Sequence, residues 1–174
     1  NSSAAIIGLE GSIIQMISHG LISAALFFCI GIIYKHSKSR LIKDNFGVAQ
    51  FMPIFSFMMI FFLMANSGLP GTSGFVGEFL VITSSLGSSF LIALFAASSL
   101  ILSASYSLKI GKNVLFGENK DNNQSYFECK KNEKIVLSIL IISILYFGIT
   151  PDILFKLIDQ TVIDIVASIS VGHI

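Results

Sequence analysis

Charge is what this chain has least of: Asp, Glu, Lys and Arg make up 12% of its 174 residues, whereas 53% are hydrophobic and sixteen are Phe. That balance excludes an ordinary soluble domain of this size and points to a membrane protein. With a net charge of +1 there is no basic surplus for nucleic acid, and the charges present fall in a few short stretches. Cysteine is scarce too. Cys29 lies in an apolar run and Cys129 in a polar one, and without a CxxC pair neither a metal site nor a disulfide framework is indicated. Any redox chemistry must lie elsewhere. The chain begins at Asn1, and its start lacks the basic residues and small-residue cleavage site of a signal peptide. A segment of a larger unit is therefore expected.

What is present is long apolar runs. Residues 11–34 hold no acid or base except His19 and reach about 36 Å as a helix, enough to cross a bilayer core. A basic loop follows, with Lys35, Lys38, Arg40 and Lys43. Residues 51–87 are again mostly apolar, but as one helix they would extend roughly 55 Å, too far for a core of about 30 Å. The sequence ANSGLPGTSG at 65–74 interrupts them, since Asn66, Gly68, Pro70, Gly71 and Gly74 all weaken a helix there. Either 51–66 and 74–87 are two short spans, or they are half-helices of one crossing broken at 66–73. Residues 90–111 form the next span, leading to a second basic stretch with Lys109, Lys112, Lys120, Lys130, Lys131 and Lys134. Two spans would put the basic loops on opposite sides, whereas a broken helix puts them on one, and the positive-inside rule favours the latter. The uncharged linker SSLGSS suits the other side. A last span occupies about 134–150.

Beyond it, Thr150 can cap a helix with Pro151 at its first position. Asp152, Lys156, Asp159 and Asp164 recur near helical spacing opposite Ile153, Leu157, Ile165 and Ile169, so residues 151–170 read as an amphipathic helix along the interface. Residues 117–133 read as a solvated loop. The expected fold is an all-α membrane protein with about four transmembrane helices, the second discontinuous, plus that C-terminal helix.

Glu78 is the only formally charged side chain well inside a span. A carboxylate in hydrocarbon persists only where it faces protein or water, and intramembrane acids usually mark ion or proton paths. The plainer alternative is a protonated Glu bonded to a carbonyl of the broken helix. His19 shares a helix face with Ser12, Gln15 and Ser23. Such a stripe can line a water file in which His exchanges protons, or it can bond neighbouring helices; for Gln15 and the serines the packing alternative is favoured. Ser99, Ser103 and Tyr106 form a weaker stripe pointing toward Lys109, which either relays protons or snorkels to the interface.

The stretches ISHGLISAALFFCIGIIY at 17–34, ANSGLPGTSGFVGEFLV at 65–81 and ILSASYSLK at 101–109, with LFG at 115–117 and FGITP before the tail, resemble the C-terminal third of the subunit 4 family of the proton-pumping NADH:ubiquinone oxidoreductase, complex I. LPGTSGFVGEF carries Glu where the related subunits 2 and 5 usually carry Lys. The resemblance implies an antiporter-like subunit of fourteen helices, of which this chain supplies the eleventh to fourteenth, with the twelfth broken. Onto Glu78 it places the family's C-terminal half-channel glutamate, and onto His19 the histidine of the eleventh helix. The glutamate and lysines of the family's central hydrophilic axis would lie in the first two-thirds of the subunit, absent here.

On this reading the chain is a proton-translocating segment of the complex I membrane arm. It binds no cofactor of its own, while NAD, FMN, iron–sulfur clusters and ubiquinone are bound elsewhere in the complex. Its partners are the N-terminal part of the same subunit, as the same or a separate polypeptide, neighbouring antiporter-like subunits and membrane lipids. The mitochondrial inner membrane is the expected location, with a bacterial plasma membrane as the alternative. Two rival functions are a subunit of a multisubunit sodium/proton antiporter and a purely structural membrane subunit.

Overall fold

A computed structural model describes residues 2–117 and 128–171, and every regular element among them is helical. Helix α1 runs Ser2–Ser37; a 3-10 turn at Ile42–Asp44 and a short α2, Val48–Phe51, lead into α3, Pro53–Asn66. Helices α4, Ser73–Leu86, α5, Phe90–Phe116, α6, Lys131–Ile149, and α7, Asp152–Val171, complete it. Most of the loop expected at 117–133 lies outside the described residues. Helices α1, α5 and α6 are long and apolar enough to cross a membrane.

The interruption between α3 and α4 has a clear local cause. After Asn66 the amide of Gly68 donates to Ala65 O and that of Leu69 to Met64 O, and Gly68 takes a φ of +76°. This is a Schellman cap, which satisfies the last carbonyls of α3 and needs a residue free of Cβ in the left-handed position. Leu69–Thr72 then turns again: the Thr72 amide donates to Leu69 O, and Gly71 has a φ of +89°. Proline second and a positive-φ glycine third are what a type II turn requires. The LPGT sequence thus ends one half-helix and redirects the chain into the next.

Helices α3 and α4 hold 14 residues each, about 21 Å apiece, so neither crosses a ~30 Å core alone. They pack end to end on α1. Helix α4 runs antiparallel along the N-terminal half of α1, with Ser84 at Gly8, Leu80 at Gly11 and Gly77 at Gln15. Helix α3 joins the C-terminal half in an apolar core that includes Ala25, Cys29, Met52, Phe55 and Phe62. Glycines at the α1–α4 contact let the backbones approach, the usual device where lipid removes the hydrophobic driving force for helix association.

The two basic stretches meet at one end. Lys35 Nζ lies 2.9 Å from Glu133 Oε1, Glu133 Oε2 accepts from the Lys130 amide at 2.8 Å, and Glu128 accepts from the Phe55 amide. Burial pushes the Glu133 carboxyl up, but the bonds from Lys35 and the Lys130 amide outweigh it and hold the group below the usual carboxylate value. A depressed carboxylate stabilises the fold above its unfolded pKa, and that contribution fades as pH falls through the folded value; for a half-exposed lysine it is worth at most about 1 kcal/mol. The uncharged linker sits at the opposite end, where Gly87 abuts Ala4.

Cysteines introduced at the exposed positions Lys43 and Lys131 should therefore react with an impermeant thiol reagent from one side of the membrane, and one at exposed Ser88 from the other. Labelling of Lys43→Cys and Lys131→Cys from opposite sides would contradict the arrangement. Native Cys129 is a poor reporter, because burial and the carboxylates of Glu133 and Glu128 push its thiol up to about 11.

In the C-terminal helix α7, Leu157 and Ile169 are exposed, while Leu154 and Val162 are buried. Its expected cap is absent. Thr150 Oγ1 donates back to Tyr146 O at 2.7 Å, so it closes α6, and Pro151 O instead receives the Leu154 and Phe155 amides.

Candidate functional site

Glu78 lies one and a half turns into α4, half-buried, with its carboxyl turned back toward the break. A Cβ on Gly68 would stand 2.5 Å from Glu78 Oε2. Gly68 is thus required for its left-handed backbone, and its lack of a side chain lets the carboxyl rest against it. Across from it, Gln15 Nε2 of α1 donates to Glu78 Oε1 at 3.3 Å. Gln15 can stand there because Gly77 has no side chain: a Cβ at 77 would meet the Gln15 backbone nitrogen at 2.8 Å. Glu78 Oε2 and Gln15 Oε1 are both buried and have no hydrogen-bond partner among the described residues. Buried polar atoms of this kind call for an explanation such as exchangeable protons or water.

These groups line a cavity of about 340 Å³ with His19, Asn66, Ser99, Ser103 and Tyr106. The sequence-derived stripes on α1 and α5 therefore face each other across the end of α3. Their members behave differently. Ser12 and Ser23 donate to the carbonyls of Leu9 and His19 on their own helix, and Ser99 to Ala96, which leaves them as packing groups. Ser103 donates to Asn66 O at 3.0 Å, tying α5 to the last carbonyl of α3. Asn66 Nδ2 in turn donates to Tyr106 Oη and Ser107 Oγ, each at 3.2 Å. Buried Ser107 was not singled out in the sequence, although it sits four residues beyond Ser103. Lys109 is exposed and absent from the cavity lining, so the structure does not bring it to Glu78. Gly148 of α6 packs on the turn from behind, where a Cβ would overlap Gly71 O.

Among the described residues no group of three or more His, Cys, Asp or Glu could hold a metal ion. The site is one carboxyl, one imidazole, two amides and several hydroxyls around an unwound segment, a set able to hold and exchange protons.

A protein family described as NADH:quinone oxidoreductase/Mrp antiporter, TM, matches residues 2–103. The chain belongs to that family. The match spans α1, the break, α4 and the first half of α5, and so takes in Gln15, His19, Glu78 and Ser103. Among relatives of the family, the chain is 39% identical over 160 residues to NADH-ubiquinone oxidoreductase chain 4 of Marchantia polymorpha, covering 91% of this chain and 32% of that protein. It is 41% identical over 160 residues to NADH-quinone oxidoreductase subunit M of Rhodobacter capsulatus, covering 91% and 31%. It thus spans about a third of the length of these relatives. A solved structure titled respiratory complex I from Thermus thermophilus with bound NADH contains a chain of the same fold, with a TM-score of 0.86 at 24% identity, covering 95% of this chain and 35% of that one.

Proposed function

We propose that this chain forms helices eleven to fourteen of an antiporter-like subunit in the membrane arm of complex I, where it moves protons coupled to NADH:ubiquinone electron transfer. The observation that carries the reading is the Glu78 carboxyl, held at a helix break with one unpartnered oxygen in a cavity it shares with His19. Ionisable groups at a discontinuous membrane helix mark transport sites in general, because unwound backbone at depth is tolerated where it lines a path. His19 and Glu78 pass protons between a central axis supplied by the N-terminal part of the subunit and the side bearing the uncharged linker. Lys109, exposed and outside the cavity, has no part in this path. The energy comes from elsewhere in the complex, since each charge moved against the potential costs about 2.3 kcal/mol per 100 mV.

The chain itself binds no cofactor; NAD, FMN, iron–sulfur clusters and ubiquinone belong to other subunits. Helix α7 lies along the membrane interface, and its partners are the N-terminal part of the same subunit, neighbouring antiporter-like subunits and lipid. Residue usage rich in Phe, Ile, Asn and Lys favours an AT-rich organellar gene and hence the mitochondrial inner membrane over a bacterial plasma membrane. Affinity purification from membranes in mild detergent should bring down flavin and iron–sulfur absorbance with NADH oxidation activity. Recovery of sodium/proton exchange without flavin would overturn the assignment in favour of a multisubunit antiporter.

A further inference from the structure

The 340 Å³ cavity is not the only one that touches Glu78. A second, of about 120 Å³, lies on its other side, lined by Val81, Ile82 and Ala96, nearer the uncharged linker. Gln15, Glu78, Ser99 and Leu100 line both. Ser99 is committed to its own helix and Leu100 is apolar, so the polar part of the partition is the Gln15–Glu78 pair alone. On one side of it stand His19, Ser103 and Tyr106; on the other the named neighbours are apolar.

We propose that Gln15 is a positioning residue whose side-chain amide, by reversing its hydrogen bond to Glu78, decides which of the two cavities the carboxyl proton enters. An amide presents a donor at one end and an acceptor at the other, whereas a carboxyl has acceptors alone when ionised and one donor oxygen beside one acceptor oxygen once protonated. Nε2 now donates to Glu78 Oε1 while Gln15 Oε1 is buried and unpartnered. A proton taken up on Oε2 leaves that bond in place, but once the carboxyl turns its hydroxyl toward Gln15 the contact becomes donor against donor. Rotation of the amide then brings Oε1 round to accept from the new hydroxyl. The opposite carboxyl oxygen, Oε2, sits against Gly68 on the break side, so a proton taken up there leaves past Gln15 after the carboxyl reorients. Close packing of the Gln15 backbone on Gly77 restricts the movement to the end of the side chain. Only a proton changes place, and no other reactant is needed.

The inference rests on the proton-carrier reading of Glu78, and its test separates the two. In the intact complex, infrared difference spectra during turnover should show the C=O stretch of protonated Glu78, identified by its loss in Glu78→Gln. Gln15→Met, of similar length but without hydrogen-bonding groups, should move that band to higher wavenumber and lower proton uptake about tenfold or more, the scale of a lost charge-assisted bond. Should Gln15→Met fail to assemble, Gln15→Asn, which withdraws the amide by one methylene, must show the same displacement. An unmoved band in the assembled variant overturns the role of Gln15 even if pumping falls, because packing damage alone leaves the carboxyl stretch in place. If Glu78→Gln itself pumps normally, it is the carrier reading that fails.

Discussion

Glu78→Gln is expected to assemble almost normally while losing most coupled activity. Gln fills the same space and keeps a donor, so the packing beside Gly68 and Gln15 survives, but it cannot ionise. General acid–base groups contribute about 10²–10⁴-fold where proton transfer limits a step, and a fall of about that order in proton uptake is the expected result. Glu78→Asp keeps an ionisable group on a shorter stem and should retain part of the activity despite poorer packing. A structural residue would give the reverse order, since shortening the side chain withdraws the carboxyl from Gln15 whereas Gln leaves an amide in place. Assembly on native gels and NADH oxidation in the same membranes read the two effects separately.

Gly77→Ala should produce the second large effect, by a different route. A Cβ at 77 would stand 2.8 Å from Gln15 N and 2.9 Å from Gln15 Cα, and these are backbone atoms of a helix that cannot give way singly. Helices α1 and α4 must move apart, at a cost of about 1–3 kcal/mol for overpacking. The displacement also opens the Gln15–Glu78 contact. The expected outcome is a subunit that assembles poorly, with the assembled remainder pumping weakly. The neighbouring change Val76→Ala, on a partly exposed position of the same helix, should leave assembly nearly intact. Equal behaviour of the two variants would show that the close approach at Gly77 is unimportant.

Much of this was legible in the sequence because it is local. The break follows from LPG and the flanking glycines, which give a Schellman cap and a type II turn wherever they stand. That the two halves make one crossing was read from the basic stretches at 35–43 and 109–134, and the ion pair between Lys35 and Glu133 joins those stretches at one end. Glu78 stood out because charge is so scarce in the spans. What depends on register between distant helices was not legible. Gln15 looked like one of three packing groups on its stripe until α4 placed Glu78 beside it, and nothing in a single chain pairs Gly77 with residue 15 or Gly148 with Gly71. Periodicity gave Ser103 and Tyr106 as a stripe, but that Asn66 would draw Tyr106 and Ser107 together required the end of α3 to be in place. The same limit accounts for Lys109: it follows the α5 stripe in sequence, yet the helix carries it away from the cavity.

Proton uptake per NADH oxidised, followed in sealed vesicles holding the complete complex in its unsubstituted, Glu78→Gln and Glu78→Asp forms, decides whether this carboxyl carries protons. Uptake that collapses in Glu78→Gln and partly returns in Glu78→Asp, at comparable levels of assembled complex, is the expected result; uptake by Glu78→Gln equal to that of the unsubstituted protein would contradict it.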